Sequence, residues 1–437
     1  MLTTLKNAFK IKEIRNKLLF TLCMLVVIRF GSQLPTPGIN GSIFADWFKE
    51  HTGSAFSFFD ALTGGSFMQM SLLALGINPY ITASIFMQLM TIAIPKLEEM
   101  QRDGEDGRKK IVAITRYVTI GLSLLYSTAM VVAFSNQGAL TDKSVLTIIG
   151  AIAALTAGSA FLMWIGERIT EKGVGNGISI VLVINIISRI PADLNNLFEM
   201  FVLGKPYATA VLNSVIIIGI IFGMIVLVVL LNSALRKIPV QYAKKMQGRK
   251  MVGGNTSNIP LRVNTAGVMP VIFASSVMQF PTLICSFAGI QGSGFWGEVL
   301  KGLDSNNWCR TATPQYSIGL LVYIVLIVFF AYFYTSITFN PLMIADNMKK
   351  QGGFIPGIRP GKPTSEHLER VLNYIVFIGA IGLIIIAVLP HLFGGLFGAN
   401  ISFGGTSLII IVSVILETIK QIESQMVVRS YKGILSE

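Results

Sequence analysis

Ten stretches of roughly 20 mostly apolar residues run through this chain, each long enough to cross about 30 Å of hydrocarbon as a helix. They cover residues 18–34, 72–94, 111–134, 145–166, 177–198, 208–232, 265–288, 316–338, 371–390 and 403–425. The fifth is the weakest, because Arg189 and Pro191 cut its apolar run short. No water reaches backbone N–H and C=O groups in a bilayer, so a spanning chain must be helical or a closed barrel. Barrels are written in short alternating segments, not in long apolar runs. The chain therefore reads as an all-α polytopic membrane protein with ten transmembrane helices. Its composition agrees, with 13% charged residues where a soluble chain carries about 25%.

Charge sets the expected orientation. With the N-terminus in the cytosol, 27 of the 35 Lys and Arg residues fall on cytosolic segments and six on external ones. Arg29 and Arg116 fall inside spans. Basic residues stay on the cytosolic side during insertion, so both termini are expected there. The basic start (Lys6, Lys10, Lys12, Arg15, Lys17) precedes an apolar run with no small-residue cleavage site after it, which reads as an uncleaved first helix. Cys23, Cys285 and Cys309 are scattered and suggest neither a disulfide framework nor a metal cluster.

Two cytosolic connections are long. Residues 233–264 carry Arg236, Lys237, Lys244, Lys245, Arg249, Lys250 and Arg262 with no acidic residue, and residues 339–370 carry Lys349, Lys350, Arg359, Lys362 and Arg370. Long loops in a compact domain are functional or disordered. There is also an internal echo: Gly76-Ile77-Asn78-Pro79-Tyr80-Ile81 and Gly267-Val268-Met269-Pro270-Val271-Ile272 both fit G-x-x-P-x-I. They sit in the second helix of each five-helix half. Five is odd, so the second half starts from the opposite side of the membrane. Matching interruptions in inverted halves point at a central pathway, although Gly and Pro are common in membrane helices in any case.

Enzymatic chemistry finds no foothold. His51, His367 and His391 lie in loops or at a helix end, and no span carries paired carboxylates or a serine with a base. Gly173-Val174-Gly175-Asn176-Gly177 lacks the Lys-Ser/Thr of a nucleotide loop and reads as a tight turn capping the fifth helix. Gly104-Glu105-Asp106-Gly107-Arg108-Lys109-Lys110 reads as a polar turn before the third span, its basic end being ordinary cytosolic flanking. Glu167-Arg168 and Glu171-Lys172 read as solvated pairs at the end of the fourth. An ion-coupled transporter places ionisable groups near the midplane. Here the midplane is apolar, with Ile77, Ile81, Ile272 and Ile410 at comparable depth. Such side chains could form a hydrophobic constriction. From spacing alone, ordinary packing explains them equally well.

Longer blocks carry a resemblance. IRFGSQLPTPGI (28–39), ALGINPYITASIFMQLMT (74–91), GEDGRKKI (104–111), FLMWIGERITEKGVGNGISI (161–180), QYAKKMQGRK (241–250), NTAGVMPVIFASS (264–276), FNPLMIADNMKKQGGFIPGIRPG (339–361) and SFGGTSLIIIV (402–412) occur in order. The chain resembles the SecY family, channel subunits of the bacterial Sec protein-translocation complex, from about residue 15 to 430. The resemblance implies ten helices in two inverted pseudo-symmetric five-helix halves: 18–200, with a re-entrant plug helix at about 58–70, and 201–425. Residues 1–17 and 426–437 would be cytosolic tails.

By motif, the resemblance puts a pore ring at Ile77, Ile81, Leu182, Ile272 and Ile410. The plug would include Phe58, Phe59, Leu62, Gly64, Gly65, Phe67 and Met68, sitting against that ring with few apolar contacts. Thr82, Gln88 and Asn264 would face a lateral gate between the second and seventh helices. Lys244, Lys245, Arg249, Lys250 and Arg359 would dock a SecA motor or a ribosome. Implied partners are SecE and SecG, nascent chains, signal sequences and membrane lipids, with no cofactor and no metal. The location would be the cytoplasmic membrane of a bacterium. The competing reading is a small-solute secondary transporter, which would need polar groups at the midplane.

Overall fold

A helix occupies each of the ten apolar stretches. The computed structural model describes residues 8–41, 43, 60, 62–136, 140, 142, 144–203, 206–242, 245–247, 250–252, 256–287, 295–309, 313–397 and 405–434. The first five stretches hold α1 (Lys12–Gly31), α2 (Asn78–Ala93), which bends by 106° into α3 (Pro95–Arg102), α4 (Glu105–Asn136), α5 (Val145–Lys172) and α6 (Gly177–Phe201). The next five hold α7 (Tyr207–Ser233), α8 (Met269–Phe287), α10 (Ile318–Thr338), α12 (Lys362–Phe397) and α13 (Gly405–Ile434). Two short helices lie between these, α9 (Phe295–Leu303) before α10 and α11 (Pro341–Lys350) after it. By length and composition six helices among the described residues can cross a membrane, or seven if α2 and α3 form one broken span.

Three sequence expectations need correction. The second span was expected from residue 72, but its helix begins at Asn78, and Gly64 to Ile77 form turns broken by a bridge between Pro35 and Ser71. Arg189 and Pro191 interrupt the apolar run of the fifth stretch without breaking its helix. Both lie inside α6, so Arg189 belongs to a span and not to an external loop. The chain is also not wholly α. The connection after α7 forms β1 (Leu235–Tyr242), β2 (Lys245–Gln247), β3 (Lys250–Val252) and β4 (Thr256–Arg262).

β1 pairs antiparallel with β4, from Leu235 opposite Arg262 to Gln241 opposite Thr256. Its other edge takes β5 (Gly353–Phe354) from the second long connection, with Tyr242 opposite Gly353. β2 and β3 form a separate hairpin. Ile238 and Val240 alternate with solvated neighbours and bury against Leu261, Met348, Ile355 and Leu368. The two long basic connections are therefore one folded unit with its own small core.

The helices pack in two groups. α1, α2, α4, α5 and α6 touch one another, and α7, α8, α10, α12 and α13 touch one another. Contact between the groups runs through α6 against α13, α4 against α8, and the α6–α7 connection. α7 is apolar all round, with a mean hydropathy of 3.2, so its exposed surface suits lipid. α6 begins on an N-cap: the Asn176 side chain accepts from the N–H groups of Ile178 and Ser179. This matches the expected turn between α5 and α6.

The irregular stretch before α2 is held by its neighbours. The Thr36 N–H donates to the Met70 carbonyl at 3.0 Å, and the Leu72 N–H to the Leu34 carbonyl at 2.8 Å. α5 presses on the same place at Gly158, where an added Cβ would stand 2.0 Å from the Leu72 carbonyl oxygen. Neither backbone can yield without disturbing these bonds. Gly158→Ala should therefore cost about 1–3 kcal/mol. Gly150→Ala on the same helix meets nothing within 4 Å and should be neutral or stabilising by up to about 1 kcal/mol. Thermal unfolding of the two variants in detergent checks this, and equal melting temperatures would sink the packing argument.

Candidate functional site

The interruptions before α2 and α8 have the same geometry. Gly76 and Gly267 take left-handed φ values of 60° and 65°. Each stands two residues before its helix, and each helix carries proline at its second position, Pro79 and Pro270. The Ile77 carbonyl accepts from the N–H groups of Tyr80 and Ile81, and the Val268 carbonyl from those of Val271 and Ile272. Ile81 and Ile272 thus occupy equivalent places in two equivalent turns. The G-x-x-P-x-I echo is a repeated backbone device and not chance composition.

The residues expected to form the ring are brought into one apolar cluster. Ile77 and Ile81 come from α2 and the residue before it, Leu182 from α6, Ile272 from α8 and Ile410 from α13. All five are between 1% and 9% exposed and belong to one apolar cluster. Ile81 and Ile272 also separate two cavities. One, of about 420 Å³, is lined by Leu182, Ile410, Arg116 and Glu167, and lies toward the end of the molecule that the basic residues assign to the cytosol. The other, of about 400 Å³, runs between α2 and α8 and includes Leu62, Thr82, Phe86 and Phe280.

The stretch expected to be a helix over 58–70 is different. Phe58 and Phe59 lie outside the described residues. Asp60, Leu62 and Thr63 are helical, and Gly64 to Met70 are turns, with Gly64 and Gly65 at φ 69° and 85°. Two adjacent left-handed residues cannot continue a right-handed helix. Leu62 joins the ring cluster. Phe67 and Met68 instead pack with Met130, Val131 and Phe134 of α4 and Leu155 of α5. The segment is therefore well buried, and only part of it faces the ring.

α6 holds this segment by polar contacts that the sequence reading missed. Asn185 Nδ2 donates to the Leu62 carbonyl at 3.3 Å, and Ser188 Oγ, which donates to the Asn185 carbonyl at 2.6 Å, stands 3.4 Å from the Gly64 carbonyl. Arg189 forms an ion pair with Asp60, which is 0% exposed. Asp60 Oδ1 also accepts the Met68 N–H at 2.8 Å, and Asp193 stands 4.0 Å from Arg189 Nε. Removing one member of a buried ion pair costs about 3–5 kcal/mol. The signal was present in the sequence: Arg189 and Asp193 are spaced i,i+4 inside an apolar stretch, a spacing that sets both on one helix face.

The proposed gate residues divide. Thr82 lines the α2–α8 cavity and donates to the Asn78 carbonyl at 3.1 Å. Gln88 lines the larger cavity. Asn264 does not join them. Its Nδ2 donates to Asn232 Oδ1 at 2.8 Å, and Asn232 Nδ2 donates to Ser413 Oγ at 2.7 Å, a chain that turns toward α7 and α13. Glu167 and Arg168 are not a pair either, since neighbours on a helix point apart. Glu167 accepts from Arg116 Nε of α4 at 2.7 Å, and Arg168 pairs with Glu171 at 2.9 Å.

Of the docking residues, Lys245 and Lys250 lie on β2 and β3, and Lys244 and Arg249 lie outside the described residues. Arg359 is exposed, and its carbonyl accepts from Thr364 at 2.8 Å. Among the described residues no three His, Cys, Asp or Glu side chains could share a metal ion.

Two groups of packed helices, several of them long and apolar enough to cross a membrane, define a polytopic helical membrane protein. The sequence profile described as SecY matches residues 71–419. The protein translocase subunit SecY of Streptomyces scabiei is 44% identical over 451 residues, and that of Mycobacterium tuberculosis (strain ATCC 25618 / H37Rv) is 41% identical over 458. Each alignment covers 100% of both chains. The chain belongs to the SecY family. A solved structure described as a protein conducting channel superposes with a TM-score of 0.62 at 21% identity, over 94% of this chain and 93% of that one. A second, reported for the role of the SecY plug domain in stabilising the closed channel and its membrane seal, gives 0.63 at 20% identity over 94% and 92%. These two share the fold.

Gly76 tests how the ring is built. An added Cβ would combine left-handed strain with a 2.7 Å approach to Thr63 Cγ2. Gly65 shares the positive φ but meets nothing within 4 Å. Left-handed strain alone costs roughly 1–2 kcal/mol, so Gly76→Ala should lower the melting temperature more than Gly65→Ala. Equal shifts would mean that the seat of α2 against Thr63 is unimportant.

Proposed function

We propose that this chain is the channel subunit of a protein translocase. It passes unfolded secretory polypeptides across the cytoplasmic membrane of a bacterium and releases signal sequences and membrane helices sideways into lipid. A SecA motor or a translating ribosome supplies the drive, and the chain itself is not an enzyme. The observation that carries this reading is apolar: Ile77, Ile81, Leu182, Ile272 and Ile410 lie in one buried cluster, and Ile81 and Ile272 line both cavities. Apolar walls at a narrow point repel ions by dewetting while offering a sliding polypeptide no strong binding site. A solute transporter needs the opposite, a polar site at that depth. Membership of a family whose relatives are named protein translocase subunits supports the channel reading.

The finer anatomy follows from it. The chain crosses the membrane ten times in two inverted halves, 18–200 and 201–425, with both tails, 1–17 and 426–437, in the cytosol. Residues around 58–70 are the plug. α2 and α8 are the lips of the lateral gate, supported by the apolar cavity between them. Thr82 and Gln88 tune that seam, and Asn264 steadies the base of α8 through Asn232. The sheet unit, with Lys244, Lys245, Arg249, Lys250 and Arg359, meets the motor or ribosomal RNA phosphates through its positive charge. SecE clamps the two halves, and SecG completes the complex.

A photocrosslinker at Ile272, in vesicles holding a stalled secretory precursor, should capture the translocating chain. The same probe at Val215, on the lipid-facing side of α7, should not. Precursor contact at Val215 but none at Ile272 would reject the path.

A further inference from the structure

The contacts between α6 and the turns after Asp60 are unusual for a segment surrounded by apolar side chains. Leu62 is held through its carbonyl by Asn185, and the Gly64 carbonyl stands 3.4 Å from Ser188 Oγ. Such backbone contacts would form with almost any residue at 62 and 64. The Asp60–Arg189 ion pair is different, because it reads a side chain. Asp60 is fully buried, and its second oxygen ties down the Met68 N–H. The carboxylate therefore fixes both ends of the turn run, one to α6 and one to itself. Arg29 of α1 brings its guanidinium beside Gly64, at 3.0 Å from where a Cβ would stand, and Asp193 lies on the far side of Arg189. Two positive and two negative groups thus lie close together around the fully buried Asp60, with Arg29 and Arg189 only partly exposed.

We propose that Asp60 and Arg189 are positioning residues of the channel seal: their ion pair is the catch that keeps the 60–70 segment seated beside the waist. The proposal rests on the channel reading above. A buried ion pair adds little net stability over an apolar contact, but it specifies position, since neither charge tolerates burial without its partner. Apolar contacts such as that of Leu62 can slide, whereas this one cannot. Release must hydrate both charges, so departure of the segment and entry of water are the same event. Neutralising Asp60 leaves two arginines facing one carboxylate, an imbalance that favours the hydrated, unseated state.

The test uses the assembled complex in proteoliposomes, with resting ion flux and motor-driven transport of a precursor measured on the same vesicles. Asp60→Asn and Arg189→Gln should each raise resting flux at least about tenfold with transport retained. The exchange Asp60→Arg with Arg189→Asp should return flux toward the wild-type level. Arg189→Gln acts from α6 and Asp60→Asn from the segment, so loss of one variant through misfolding leaves the other. Single variants that transport yet leak no more than wild type would overturn the catch, as would an exchange variant that leaks like the singles. Wild-type vesicles that move no precursor would overturn the channel reading itself, and the catch with it.

Discussion

Every peptide group inside the hydrocarbon must be satisfied by protein, and this is the constraint on which the rest of the structure depends. The long apolar helices meet it within themselves. The run from Gly64 to Ile77 cannot, and it survives because its groups are distributed among neighbours. Its middle pairs with residues 34–36 after α1, its start with side chains of α6, and α5 closes over Leu72 at Gly158. Its own turns supply the remainder, as in the bond from the Ser71 N–H to the Ser66 carbonyl. The first helix group is thus organised around one stretch of irregular backbone, and α1, α4, α5 and α6 are its walls.

The waist and the seat of that stretch obey different physics. Lipid tails are as apolar as isoleucine, so the ring side chains gain little by meeting one another and not lipid. Contacts of this kind are weak and exchangeable. The seat of the 60–70 segment relies instead on directional bonds to α6 and on a buried charge. α6 also touches α13 of the other group, so the helix that holds the segment borders the place where the groups meet.

Much of this was legible in the sequence. Long apolar runs gave the helices, and the echo at Gly76 and Gly267 pointed to α2 and α8. Motif resemblance picked out Ile77, Ile81, Leu182, Ile272 and Ile410, which spacing alone could not separate from ordinary packing. The misses have physical causes. Arg189 looked like the end of a span because a lone charge opposes insertion, and its partner Asp60 lies 129 positions away, which no local pattern reveals. Ile238, Val240 and Tyr242 alternate with polar residues, a period-2 signal overshadowed by the basic charge of the loop. The 58–70 stretch was taken as a helix on resemblance, although Gly64-Gly65 already argued for turns.

The paired prolines follow from the same constraint as the irregular run. A helix leaves its first four N–H groups without intrahelical acceptors. α2 and α8 both begin beside the apolar cluster that holds Ile77 and Ile272. Pro79 and Pro270 each remove one donor while fixing φ in the helical range. Gly76 and Gly267 then supply the sharp turn that lets the chain enter at that depth. The same four residues that interrupt two apolar runs therefore set where α2 and α8 start. They also bring Ile81 and Ile272 to the lining of both cavities from matching positions.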